Sequence, residues 1–234
     1  MISSNFLVPI LWVVSFMVPP MEHSKLNENP ENSLLTLYEQ LSEKAKVLPN
    51  KDIFALAMHG WEKLSPQLKS KVITIIDFSL PSTEKRMWII DPEKKLLLLH
   101  SVVSHGRNSG NLIASNFSNK PESYQSSLGF YKTAETYQGK HGYSLRLDGL
   151  EKGFNDQARN RAIVIHGADY AREEFAESVG RLGRSLGCPA LPTELSTQAI
   201  DLIKNGSLLF IYGQDESYLK TSKLIQPEGS ISAQ

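Results

Sequence analysis

From residue 72 to residue 212 the apolar residues fall into short, often β-branched runs separated by turn-forming residues, and this pattern limits the fold most. Runs of four to eight such residues bounded by Gly, Pro, Asn, Asp or Ser read as strands. They occupy residues 72–78, 86–90 and 96–104, and Asp91-Pro92-Glu93-Lys94-Lys95 makes a hairpin-like link between the last two. Residues 129–131, 143–147 and 162–165 are further short strands, and 208–212 reads as the final one. Helical spacing appears elsewhere. Asn32 or Ser33 can cap a helix carrying Leu34, Leu37, Tyr38, Leu41 and Ala45. Residues 52–64 form a second, with Ile53, Ala57, Met58, Trp61 and Leu64 inward and Pro66 just beyond. A third, over 197–204, is stopped by Asn205-Gly206. The pattern predicts an α+β fold, mainly β, with N-terminal and accessory helices.

The 234 residues, 41% of them hydrophobic, are enough for one domain with a sizeable core. Lys and Arg number 25, as do Asp and Glu, and no run of five or six like charges occurs. Neither net charge nor a charged tail therefore recommends nucleic acid as a partner.

Residues 6–18 are almost wholly apolar but include Pro9. A spanning helix needs roughly 18 apolar residues, whereas the core of an export signal needs about 7–15. The expectation is a signal peptide or N-terminal anchor over 1–20, a polar linker over 21–32, the main domain over 33–213 and a polar tail over 214–234. No stable membrane span is expected. Residues 1–5 hold no Lys or Arg and no A-x-A-like cleavage site follows, which keeps a buried apolar strand as the alternative.

Cys188 is the single cysteine, so no intramolecular disulfide is possible. In an exported protein such a thiol is an intermolecular link, an inert buried group or a reactive one. Two segments bear on the choice. Ile163-Val164-Ile165-His166-Gly167 is an apolar strand ending in histidine and glycine, and Gly183-Arg184-Ser185-Leu186-Gly187-Cys188-Pro189 is a glycine-rich turn into the cysteine. A free thiol ionises near pH 8.5, so a cysteine nucleophile needs a base that takes its proton or holds the thiolate. A histidine at a strand end is rigid enough for that task, and pairing with His166 is expected to lower the thiol pKa. Attack on an amide also builds charge on the carbonyl oxygen, which backbone N–H groups can stabilise. Gly187 permits a conformation exposing its own N–H and that of Cys188, whereas Pro189 has none to donate. Read singly, His166 is as consistent with a structural histidine, and the turn with a tight turn and nothing more.

Between residues 108 and 127 half the positions are Ser or Asn. A loop of this length is usually functional or disordered. Phe117 and Tyr124 within it, with Phe130 and Tyr131 beyond, predict an ordered wall along one side of a cleft. His105, His141 and Arg146 are candidates to line that cleft. No Cys/His/Asp cluster has zinc-like spacing and no phosphate-cradling glycine loop occurs, so neither metal nor cofactor is expected.

These residues resemble the murein L,D-transpeptidase (YkuD-like) catalytic-domain family, which carries a His-Gly at a strand end and a Ser-x-Gly-Cys turn downstream. Here the matching residues are His166-Gly167 and Ser185-Leu186-Gly187-Cys188, within the longer stretches GKHGYSLRLDGLEKGFN, RAIVIHGA and GRSLGCPAL. The resemblance spans roughly residues 34–212. It implies a β-sandwich-like catalytic domain and acyl transfer on peptidoglycan stem peptides outside the cytoplasm, in the periplasm or cell envelope. It makes Cys188 the nucleophile, His166 its base, Gly167 the carbonyl that orients the ring, and the N–H groups of Gly187 and Cys188 the oxyanion site. Arg184, Ser185, His141 and Tyr143 are expected to contact substrate. Leu186 stands where the family usually has a second histidine, and Pro189-Ala190 replaces the segment that usually brings an arginine. With water as acceptor the same chemistry gives a carboxypeptidase or endopeptidase. A papain-like peptidase fits less well, since there the cysteine precedes the histidine. A wall-binding module with a dead site is the non-enzymatic alternative.

Overall fold

Ile73–Asp77 (β1) and Met87–Asp91 (β2) are buried at every position. Strands covered on both faces lose polar alternation and read as continuous apolar runs, which is why they were conspicuous in the sequence. The computed structural model describes residues 30–227, so the expected signal segment and nearly all of the linker lie outside the described residues. The other strands are Leu96–Ser101 (β3), Gly129–Gly139 (β4), Gly142–Gly149 (β5), Val164–Gly167 (β6), Ala190–Leu191 (β7) and Leu208–Tyr212 (β8). They form one sheet in the order β3-β2-β1-β8-β4-β5-β6-β7. The pairs β1/β8 and β6/β7 are parallel and the rest antiparallel.

Just past β3, the Ser104 N–H donates to the Ala190 carbonyl at 2.8 Å. The two edges of the sheet thus meet, and the sheet curls into a nearly closed barrel with few unpaired edge groups. This is the expected α+β, mainly β class, and the sandwich is made by the two halves of one curled sheet. Thr193–Ile203 (α4) touches β5 and β6 of one half and β2 of the other, burying Ser196, Ala199, Ile200 and Ile203. Pro30–Lys44 (α1) packs on β3, and Lys51–Leu64 (α2) on β1 and β8. The Asn50 side chain caps α2 by accepting from the Asp52 N–H at 2.8 Å. Glu173–Val179 (α3), not anticipated from sequence, closes on Gly180 in the left-handed conformation.

Three expectations need correction. First, residues 214–227 are more than a polar tail. Asp215 caps Glu216–Thr221 (α5), and Tyr218 and Ile225 are buried. The Tyr218 hydroxyl donates to the Glu151 carboxylate at 3.0 Å, and the Ser222 hydroxyl donates to it as well. Two apolar side chains and a buried acceptor suffice to dock a segment whose composition is otherwise polar. Second, β4 runs eight residues past the expected strand end, because its outer half forms a partly exposed hairpin with β5. Lys140 and His141 make the two-residue tip, between the paired Gly139 and Gly142. Third, residues 108–127 do not wall the cavity that holds Cys188. Their backbone is tied down from behind by Arg161, whose guanidinium donates to the Ser118 and Gln125 carbonyls and to the Ser123 and Ser127 hydroxyls. The loop borders a smaller depression with Phe154 and Asp215 instead.

Candidate active site

Strand β6 sets the position of the histidine. Ser144 of β5 pairs with His166 and Leu145 with Ile165, so alternation sends Ile165 into the core and His166 to the opposite face. His166 Nδ1 lies 2.9 Å from the Gly167 carbonyl oxygen. A carbonyl only accepts, so Nδ1 carries the hydrogen and Nε2 keeps its lone pair. A Cβ on Gly167 would fall 2.6 Å from Ser196 Oγ, so this glycine is what allows α4 to close on the strand end.

The turn into the cysteine is held by Ser185. Its hydroxyl donates to the Cys188 carbonyl at 2.6 Å and accepts from the Gly187 N–H at 3.0 Å. Gly187 has φ +122°, and a Cβ there would meet the Gln125 carbonyl oxygen at 2.8 Å. Only glycine suits both the conformation and the space. The Gly187 N–H thus donates to Ser185, and the Ser185 hydroxyl hydrogen to the Cys188 carbonyl.

The thiol faces a cavity of about 370 Å³, and five of the eight singled-out residues line it: Cys188, His166, His141, Arg184 and Ser185. Cys188 Sγ receives the Val164 N–H at 3.5 Å and donates toward the Ala162 carbonyl at 3.7 Å. Among the described residues no hydrogen bond joins it to the His166 ring. Burial pushes the thiol above its ordinary pKa, although the Val164 N–H and the charges of Arg161 and Lys140 pull the other way. The expected lowering by imidazole pairing is therefore not found. His166 is held below the ordinary imidazole value, chiefly by burial, with the Gly167 carbonyl opposing and His141 and Lys140 adding to the depression. A neutral imidazole and a neutral thiol share the cavity, an arrangement suited to general-base activation rather than to a standing ion pair.

The remaining candidates divide. The His141 ring, from the hairpin tip, stacks on His166 with centroids 4.4 Å apart. Arg184 Nη1 donates to the Arg107 and Gly110 carbonyls at 3.2 and 3.0 Å while its side chain borders the cavity. Tyr143 is not in the cavity. Strand alternation turns it from the Ser144 face toward α4, where its hydroxyl donates to Asp201 at 3.0 Å. His105 is buried away from the cavity against Arg86, and Arg146 lies over the Tyr137 ring beside Glu135. Sequence reasoning passed over Lys140, Arg161, Tyr137 and Tyr170, all of which line the cavity. Lys140 and Arg161 sit in two of the stretches that carry the resemblance, adjacent to His141 and at the head of the strand ending in His166. Burial pushes the Tyr170 phenol up to about 12, so it is a neutral donor there. Among the described residues no group of three His, Cys, Asp or Glu side chains is placed to hold a metal ion.

Comparison with solved structures finds an L,D-transpeptidase from Mycobacterium smegmatis at 14% identity, with 61% of this chain and 59% of that one covered and a TM-score of 0.36. An L,D-transpeptidase from Stackebrandtia nassauensis is 14% identical over 75% of each chain, with a TM-score of 0.38. An L,D-transpeptidase from Mycobacterium tuberculosis is 12% identical, with 61% of this chain and 58% of that one covered and a TM-score of 0.35. The chain spans about three-fifths of the length of the mycobacterial structures. No curated protein matches it. The family model described as the L,D-transpeptidase catalytic domain matches residues 44–212, a stretch running from the end of α1 to the end of β8 and holding every residue of the cavity. On that match the chain belongs to the L,D-transpeptidase catalytic-domain family.

Proposed function

We propose that this protein is a cysteine-dependent acyl transferase acting on peptidoglycan stem peptides, with Cys188 as nucleophile and His166 as general base. The observation that carries the reading is the single cysteine facing the same cavity as a histidine whose Nδ1–H is fixed on the Gly167 carbonyl, which leaves Nε2 free. In this reading His166 Nε2 takes the Sγ proton as sulfur attacks the carbonyl carbon of the bond between an L-centre and a D-residue. Collapse of the tetrahedral intermediate breaks the C–N bond, and the proton passes from His166 to the departing amine. The thioester left on Cys188 is then resolved by an amine from a neighbouring stem, whose proton His166 accepts in turn. Water in place of the amine gives a carboxypeptidase or endopeptidase. With Gly187 committed to Ser185, the Cys188 N–H is the turn's remaining candidate donor to the oxyanion.

A substrate in the wall requires an extracytoplasmic location, the periplasm or cell envelope. Among the described residues no helix is long and apolar enough to cross a membrane. The test is the mass of intact protein after exposure to muropeptides, and separately to a carbapenem. A thioester or adduct on Cys188, lost in Cys188→Ser protein that remains folded, is the expected result. Folded protein whose mass is unchanged by both reagents would instead favour a wall-binding module with an inactive site.

A further inference from the structure

The chain as a whole is neutral, yet the Cys188 cavity is not. Its lining includes Lys140, Arg161 and Arg184, together with His141 and His166, and no Asp or Glu. The three permanent cations differ in what they have left to offer. Arg161 spends its two terminal nitrogens on four oxygens of the loop behind the cysteine turn. Arg184 spends Nη1 on two backbone carbonyls, and its Nε and Nη2 make no hydrogen bond among the described residues. Lys140, exposed at the hairpin tip, makes neither a hydrogen bond nor an ion pair there. Two unsatisfied cations thus border the cavity that contains the sulfur, with no protein carboxylate in it to neutralise them.

We infer that Lys140, assisted by the free edge of Arg184, is a specificity-determining residue that reads a free carboxylate on the acyl donor beside the attacked bond. The inference rests on the acyl-transfer reading above and narrows its substrate class to acidic, non-amidated donors. Size limits where that carboxylate can be. A rounded cavity of 370 Å³ is about 9 Å across, which two or three extended residues span, so the anion lies within about two residues of the attacked carbonyl. The chemistry suits the site. A lysine ammonium is a point charge on a flexible stem, able to meet carboxylates in several positions, whereas a carboxamide offers it only a neutral acceptor.

The probe is a synthetic peptide in which an L-centre residue with a side-chain carboxylate precedes a C-terminal D-alanine. Its counterpart has both carboxylates converted to carboxamides. Binding of each to Cys188→Ala protein is measured by calorimetry, so no chemistry intervenes. The acid is expected to bind about tenfold or more tightly than the amide, as a charge-assisted hydrogen bond implies. Lys140→Gln should remove most of that preference, Lys140→Arg should keep it, and added salt should shrink it. Equal binding of the two peptides, binding of neither, or a preference untouched by Lys140→Gln would overturn the inference. Native protein is given the same peptides and its mass is read. An acid preference in binding with no thioester on Cys188 removes the acyl-transfer reading and leaves the anion site standing. A thioester formed equally from acid and amide does the reverse.

Discussion

The imidazoles of His141 and His166 stack with centroids 4.4 Å apart and planes 24° apart, although one comes from a hairpin tip and the other from a strand end. The hairpin folds over the ring whose Nδ1 is already bonded to Gly167, so one side of His166 is covered by a second titratable ring. The two rings cannot both be charged without repulsion at this distance.

The first prediction follows from that stack. His166 is depressed below the ordinary imidazole pKa, so its basic form persists to lower pH than that of a free imidazole. Acylation by a carbapenem should therefore lose rate only below the usual histidine range. His141→Ala uncovers the ring and removes the neighbour that helps depress it, so the acid limb should move to higher pH with a modest loss of rate. His166→Ala should cost about 10²–10⁴ in acylation rate. Rate–pH profiles of the three proteins decide the matter, and equal losses from both substitutions would show that the base is misassigned.

The second concerns the resting thiol. Because burial holds Cys188 above the ordinary thiol pKa, iodoacetamide at pH 7 should alkylate it more slowly than a free model thiol. The rate should still be climbing with pH beyond about 8.5, where a free thiol has half ionised. Carbapenem acylation, in which His166 can assist, should not share that lag. Alkylation faster than the model thiol at pH 7 would mean that the sulfur rests as a thiolate.

The third concerns stability in acid. Arg86, fully buried, donates Nη2–H to His105 Nδ1 at 2.8 Å, and a guanidinium cannot accept, so the imidazole is neutral. Burial first, and Arg86 second, depress His105 from 6.5 to about 4. Between those values the unfolded chain binds the proton more readily than the folded one, so stability falls as pH drops from about 6.5 toward 4. The loss amounts to roughly 2–4 kcal/mol. Urea unfolding at pH 7 and pH 4.5 should show it, and His105→Gln should flatten the slope in that window. An unchanged slope in the variant would assign the acid sensitivity elsewhere.

The fourth tests the C-terminal segment. Deletion after Gly213 removes the buried Tyr218 and Ile225 and strips two hydroxyl donors from Glu151, leaving it the Phe130 N–H. A loss of about 3–5 kcal/mol is expected, against about 1–2 kcal/mol for Tyr218→Phe. Denaturation midpoints report both. A deletion variant as stable as the full chain would return these residues to the status of a tail.

The sequence by itself determined where the buried strands lie and which residue is the candidate nucleophile. Buried runs such as 73–77, 87–91 and 208–212 declare themselves because a strand covered on both faces must be apolar throughout. One cysteine after a glycine that only a special backbone conformation could need was equally plain. The two-residue β7 and the docked α5 were not visible, since their stability comes from partners distant in the chain, and the half-exposed outer part of β4 was missed because its hairpin with β5 carries no continuous apolar run. Sequence singled out His166 among the four His-Gly pairs but could not say where the other three lie. Tertiary structure put His59 in α2, gave His105 to Arg86, laid His141 on His166 and turned His166 into the cavity. It also decided that the Tyr143 hydroxyl goes to Asp201 of α4, that the Gly187 N–H goes to Ser185, and that Lys140 at the cavity has no hydrogen bond or ion pair among the described residues. A side chain's chemistry is written in its residue type, but its available donors and its pKa depend on what the fold brings within a few ångströms.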